Sequence, residues 1–275
     1  MGSPGAFLIL ASRAREWLVM GHGTGESTVA ERPAAIAAGL AARSAVVATA
    51  AVPALAAPPR PAAARGAEQI SRYFVRIAIR RDGSVLVTEQ ILYDFGGDRR
   101  HGILRDIPVL SPYSLRYNRY LRVAVRSVTS DTGDVPYSVS TTGGSVVIKA
   151  GDPHRVVTGM HEYWLDYLVR GGMSIVGGRD ELRWNAIGDQ WAIPISNVRV
   201  VVISPTTTVG VNCWAGIHGS TTRCGLATTS AAGSAVFVQR RLSPYEGLTV
   251  AVDLPQGSVN VPPPLLRERW RSIRS

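Results

Sequence analysis

The sequence is short of lysine, of cysteine and of long apolar runs. Lys149 is the only lysine among 30 basic side chains, and the rest are arginine. Such a bias marks genome composition more than a demand for bidentate recognition. No GxSxG, HExxH or CxxC occurs, and "TTGGS" and "RGG" lack the strand–loop–helix setting and the lysine of a phosphate-binding loop. Outside an Ala-rich N-terminal region, no window reaches about 18 uninterrupted apolar residues, so no membrane-spanning helix is predicted in the chain as given. Between Gln69 and Pro255 no amphipathic helix of useful length is present. No cofactor motif is present, and none is expected.

What is present begins with charge. The 275 residues carry a net charge of +10; residues 58–275 hold 26 of the 30 basic and 17 of the 20 acidic side chains, a balance of +9. The basic residues are spread along the chain without a recognition motif, which argues against nucleic acid and for a soluble basic surface or an anionic envelope partner. Residues 1–31 read as neither domain nor leader, as expected of a start codon assigned too far upstream. Arg32 and Arg43 then flank an apolar run, Ser44–Ala57, and Ala54-Leu55-Ala56 supplies small residues at the −3 and −1 positions of a cleavage site. From Arg32 on this is the pattern of a signal peptide, which makes residues 1–57 the leader region and predicts export; an Ala/Pro-rich leader without that role is the alternative. Residues 58–68 form a Pro/Ala linker.

Two cysteines, Cys213 and Cys224, bracket the turn-rich "WAGIHGSTTR". A close, even pair in an exported chain predicts a disulfide, stabilising by roughly 2–3 kcal/mol in the chain-entropy account. Two alternatives stay open: a metal held by Cys213, His218 and Cys224, which lacks a fourth ligand, and unpaired thiols.

From residue 69 the hydrophobic period is two. "YFVRIAIR" and "SVLVTEQILYDF" alternate around Asp82-Gly83, which predicts a β-hairpin. Further strands are predicted over 121–128, 135–140, 145–149, 161–169, 181–186, 197–204, 207–213, 234–241 and 248–254. Many short strands separated by turn residues predict an all-β domain over residues 69–255, an antiparallel sandwich of Greek-key type. Residues 256–275 read as a Pro-rich linker and a basic stub, "LLRERWRSIRS", able to start a helix.

Three clusters could carry chemistry. In "GGDRRHGILRDIPV", His101, Arg105 and Asp106 suggest acid–base work; the plainer reading is a loop entering a strand, with Arg105 pairing Asp106 and with Ile103 and Ile107 buried. In "HEYWLDYLV", His161 and Glu162 are neighbours on a strand and point to opposite faces, so they do not share a site. In "RDELRWNAIGDQWAIPI", Trp184 and Trp191 are placed to pack on successive strands around the Gly188-Asp189 turn, with Pro194 at an edge or bulge. An exposed Trp would instead stack on sugar rings; joint burial of Trp184, Trp191 and Trp214 would weaken that reading.

The order of "DGSVLVTEQILYDF", "HGILRDIPV", "GDPHRVVTGMHEYWLDYLV", "DELRWNAIGDQWAIPISNVRVVVISP" and "LSPYEGLTVAVDLPQGSV" resembles the N-terminal domain of the bacterial predicted-membrane-protein family called domain of unknown function 2207, over residues 69–260. The resemblance makes Gly102, Arg105, Asp106, Pro108, Trp184, Asn185, Gly188, Trp191 and Pro194 a structural signature, and Cys213 and Cys224 sit where actinobacterial members look similar. It implies a signal peptide, an extracytoplasmic β-domain, then membrane helices and often a Gly-rich tail, and it carries over no catalytic residues. The chain stops at Ser275, where the resemblance places the first membrane helix, so a truncated or split gene product is expected. The function expected is a non-enzymatic domain contacting envelope or membrane components. A carbohydrate- or wall-polymer-binding module is the first alternative and a hydrolase the second. Secretion from a related host should give a product starting near Ala57 with both thiols protected from alkylation until reduced, read by intact mass; an uncleaved cytoplasmic product with two free thiols would contradict export.

Overall fold

The computed structural model describes residues 66–269. The expected leader at 1–57, its cleavage site and residues 58–65 of the linker lie outside them.

Among the described residues there is no helix and there are eighteen strands. In chain order they are β1 (Gln69–Ile79), β2 (Val85–Asp94), β3 (Ile103–Pro108), β4 (Leu110–Pro112), β5 (Tyr117–Tyr120), β6 (Arg122–Ser130), β7 (Gly133–Asp134), β8 (Tyr137–Thr142), β9 (Ser145–Ala150), β10 (Met160–Arg170), β11 (Met173–Val176), β12 (Arg179–Ile187), β13 (Ile195–Ile203), β14 (Gly210–Gly216), β15 (Leu226–Thr229), β16 (Ala235–Leu242), β17 (Gly247–Pro255) and β18 (Leu266–Glu268). An eight-stranded sheet runs β15-β16-β13-β1-β2-β10-β6-β7; a four-stranded sheet runs β11-β12-β17-β14; and two three-stranded sheets run β18-β5-β4 and β3-β9-β8.

The β1–β2 hairpin forms as its alternation predicts. Tyr73, Val75, Ile77 and Ile79 are buried on β1, and Val85, Val87, Glu89, Ile91 and Tyr93 on β2. Asp82 closes the turn by accepting hydrogen bonds from the Ser84 amide and hydroxyl at 3.0 and 2.6 Å. Gly83 has φ +76°, and a Cβ there would lie 1.9 Å from the Asn260 carbonyl oxygen, so only glycine fits. One ladder departs from the expected antiparallel arrangement: β1 pairs β13 in parallel, from Ile70↔Ile195 to Ala78↔Ile203. Period-two alternation identifies a strand but carries no direction, and more than a hundred residues separate these two.

The buried faces of the eight- and four-stranded sheets and of β3 and β9 share one hydrophobic core. Aromatic pairs join them: the Tyr167 and Trp184 rings are 6.4 Å apart, and Trp191 meets Tyr73 edge-on at 6.1 Å. Residues 188–194 form turns and not the expected strand, since β13 begins only at Ile195; Trp191 reaches the core from this loop. Residues 256–269, expected as linker and stub, are fastened to the domain. The Val259 amide donates to Asp180 at 3.1 Å, the Asn260 amide to the Arg81 carbonyl at 2.8 Å, and residues 266–268 add a strand to β5 where the start of a helix was expected.

Four core tyrosines are held neutral. Burial pushes the Tyr163 hydroxyl up to about 12, with Asp131 adding to it. Burial also raises Tyr73, Tyr93 and Tyr167, aided by Glu89 beside Tyr73 and Tyr167 and by Glu68 beside Tyr93. Each group keeps its proton when folded at a pH where the unfolded chain, with tyrosine near 10, releases it. Their contribution to stability is therefore whole below pH ~10 and is lost as pH rises through and beyond about 12. Ultraviolet titration should show these tyrosines ionising only as the domain unfolds; gradual ionisation within an intact fold would contradict their burial.

Candidate functional site

The densest polar constellation among the described residues is sealed inside the core. Glu89 on β2 is 0% exposed and Arg105 on β3 is 1% exposed. Arg105 grips Glu89 with two hydrogen bonds, Nε to Oε2 at 2.8 Å and Nη2 to Oε1 at 2.9 Å. The Tyr73 hydroxyl donates to Oε2 at 2.6 Å and the Tyr167 hydroxyl to Oε1 at 2.5 Å. Each carboxylate oxygen thus accepts two hydrogen bonds, which fills its capacity. Arg105 also donates to the carbonyls of Asp106 and, at 3.3 Å, Ala186. Burial opposes its charge, but the Glu89 carboxylate outweighs that and holds Arg105 above its ordinary value. The expected Arg105–Asp106 side-chain pair is corrected here: neighbours on a strand point to opposite faces, so Arg105 turns inward to Glu89. Glu89 had a signal, a lone acid in the apolar phase Val85, Val87, Glu89, Ile91, Tyr93.

Of the residues expected as a signature, Gly188 lies against this pair. A Cβ on Gly188 would sit 2.7 Å from Arg105 Nη1, so the glycine lets the guanidinium lie against the 186–188 backbone. Gly102 has φ +130°, and a Cβ there would stand 1.9 Å from the Ala150 carbonyl oxygen. Pro108 ends β3 opposite Ser145, and the Pro194 carbonyl accepts the Ile70 amide at 3.0 Å, tying the loop to β1. Trp184 and Trp191 are 3% and 7% exposed.

The other candidates for chemistry are engaged separately. His101 Nδ1 lies 2.8 Å from the Arg155 carbonyl oxygen, and His161 Nδ1 lies 3.3 Å from Asp131. Glu162, on the face opposite His161, accepts hydrogen bonds from Arg72 and Gln90. Cys213 and Cys224 form a disulfide with Cα atoms 5.5 Å apart, so neither thiolate is available to a metal with His218, which instead lies 3.4 Å from Asp189.

Among the described residues, the surface carries a groove of about 720 Å³. Its floor is the outer face of the four-stranded sheet, with Asn185 on β12, Thr249 on β17 and Trp214 on β14. The 108–111 segment, Arg119 and Leu121 form one wall, and the 216–221 loop forms the other. Trp214, unlike Trp184 and Trp191, keeps part of its surface accessible. The Arg183 guanidinium lies 4.7 Å from its ring centre and that of Arg223 lies 5.6 Å away. Three of the four buried side-chain polar atoms without a partner among the described residues belong to residues lining this groove: Arg119 Nε, Trp184 Nε1 and Asn185 Oδ1. Burial also holds the Arg119 guanidinium below its ordinary value. These three atoms are closed to solvent, so the chemistry the groove presents is the Trp214 indole and the guanidiniums beside it. The sequence marked Trp214 but not Arg119 or Arg183, which approach it only through sheet pairing.

The model of the family described as "Predicted membrane protein (DUF2207) N-terminal domain" matches residues 69–254. The chain belongs to this family. Membrane association follows from it, although no helix among the described residues is long and apolar enough to cross a membrane. No curated protein matches the chain. Among solved structures it is similar to native yeast LTA4 hydrolase, with a TM-score of 0.43 and 8% identity over 68% of this chain and 29% of that one. It is also similar to an M1 zinc metallopeptidase from Deinococcus radiodurans, with a TM-score of 0.39 and 16% identity over 66% and 42%. The chain spans less than half of either protein, and likeness at this level carries no inference about activity.

Arg105→Met strands a buried carboxylate and should lower stability by roughly 3–5 kcal/mol. Adding Glu89→Gln to that background should restore part of the loss, because an amide needs no counter-charge. Urea unfolding of the two variants decides it; a double variant no more stable than Arg105→Met would contradict the ion-pair account.

Proposed function

We propose that this domain is a non-catalytic binding domain on the extracytoplasmic side of a membrane-associated envelope protein, and that its groove is the binding surface. The observation that carries this reading is the partly accessible Trp214 indole in the groove, with the Arg183 guanidinium lining the groove beside it and that of Arg223 within 5.6 Å of its ring centre. A preformed concave surface with a few convergent polar groups is the usual form of a ligand site. The dense acid–base cluster around Glu89 is closed to any substrate, which favours binding over turnover.

The same groove favours, as a second reading, a polysaccharide or other polymer of the cell wall as the ligand. An indole with two guanidiniums over its ring presents aromatic surface and positive charge together, and this suits an acidic sugar. Burial of Trp184 and Trp191 removes two of the three aromatic platforms this reading could use, and Trp214 is the one left.

Insoluble wall material should retain the protein, and Trp214→Ala should weaken retention roughly tenfold or more, the loss expected of an aromatic anchor. No soluble fragments should appear during the incubation. Equal retention of the variant would move the binding surface elsewhere, and steady release of fragments would make the protein a hydrolase.

A further inference from the structure

From the β4–β5 hairpin we infer that its tip is a contact point for an anionic lipid bilayer. The tip is held in shape by its own hydrogen bonds. The amides of Tyr113 and Ser114 donate to the Tyr117 carbonyl at 3.1 and 2.9 Å, and the Ser114 hydroxyl accepts from the amides of Arg116 and Tyr117 at 3.3 and 3.1 Å. This ordered turn thrusts Leu115 into solvent at 94% exposure, with Tyr113 beside it at 56%. An isolated exposed leucine means little, but here apolar and cationic groups converge. β18 is laid antiparallel on β5, so Leu266, 46% exposed, and Arg267 lie opposite Arg119 and Asn118. The Arg269 amide donates to the Arg116 carbonyl at 2.8 Å, and its guanidinium to the Ser114 carbonyl at 3.3 Å. Arg116, Arg267 and Arg269 are all exposed, Arg116 next to Leu115 in the turn and the other two on the adjoining 266–269 segment, with Glu268 the acid between them.

Leucine and tyrosine at an apex flanked by arginines match the layered chemistry of a bilayer surface. The apolar side chains enter the headgroup–acyl boundary, the tyrosine sits at headgroup level, and the guanidiniums meet lipid phosphates. Charge complementarity selects an anionic membrane, since residues 58–275 carry a balance of +9. The membrane association of the family supplies the setting. The contact is independent of the groove, so either can fail without the other.

The test is co-sedimentation of the full chain with vesicles of phosphatidylcholine alone or mixed with phosphatidylglycerol. The protein should sediment with the anionic vesicles, and salt should weaken this. Leu115→Ser changes a side chain with no packing role, so it leaves the fold intact; it should lower partitioning roughly tenfold. Arg116→Ser and Arg267→Ser should each lower it roughly fivefold. Three results would overturn the inference: sedimentation with neither vesicle, as expected if the tip meets a protein partner; equal sedimentation with both; or binding indifferent to all three substitutions, which would place the contact in another segment.

Discussion

The fold depends on one buried ion pair. Glu89 and Arg105 have no access to water, yet together with Tyr73, Tyr167 and two backbone carbonyls they satisfy nearly every donor and acceptor they own. Removing charges from water is costly, and only such complete satisfaction makes the arrangement tolerable. The constraint reaches outward. The carboxylate comes from β2, the guanidinium from β3, the hydroxyls from β1 and β10, and a carbonyl from β12, so five strands must be in register before the pair can close. Gly188 is small because the guanidinium lies against it, and the 188–194 loop then delivers Trp191 onto Tyr73.

This explains which parts of the molecule were legible in the sequence. Strands with one dry face announce themselves by alternation, and the hairpin around Asp82-Gly83, β10, β12, β16 and β17 lie within a few residues of their expected places. The close cysteine pair is joined as expected. The strands that were missed are the shortest: β4, β5, β7, β11, β15 and β18 hold two to four residues each, too few to show a period, and β18 is held by backbone pairing that a side-chain pattern does not record. The parallel β1–β13 ladder was illegible for a similar reason, since alternation has no direction. The partner of Arg105 was misjudged because proximity in sequence favoured Asp106, whereas strand geometry turns the two apart and the core supplies Glu89 from sixteen residues upstream.

The candidate site was harder to read. Groove residues come from β12, β14, β17 and the 108–121 segment, and only sheet pairing sets Arg183 over Trp214. Among three tryptophans in similar polar-and-glycine surroundings, the sequence could not choose the accessible one. Burial decides it: Trp184 and Trp191 pack against core tyrosines, while Trp214 lies on the outer face of the four-stranded sheet. The chemistry is thus divided by solvent access. The strongest polar cluster is spent on holding the strands together, and the sparser one faces outward.

That division is tested most directly by amide hydrogen exchange on the full chain with and without insoluble wall material. The account predicts added protection at 183–185, 214–221 and 247–249, with none at 98–103 or 158–164, where His101 and His161 lie. Protection centred on the histidine segments, with the groove unchanged, would contradict it.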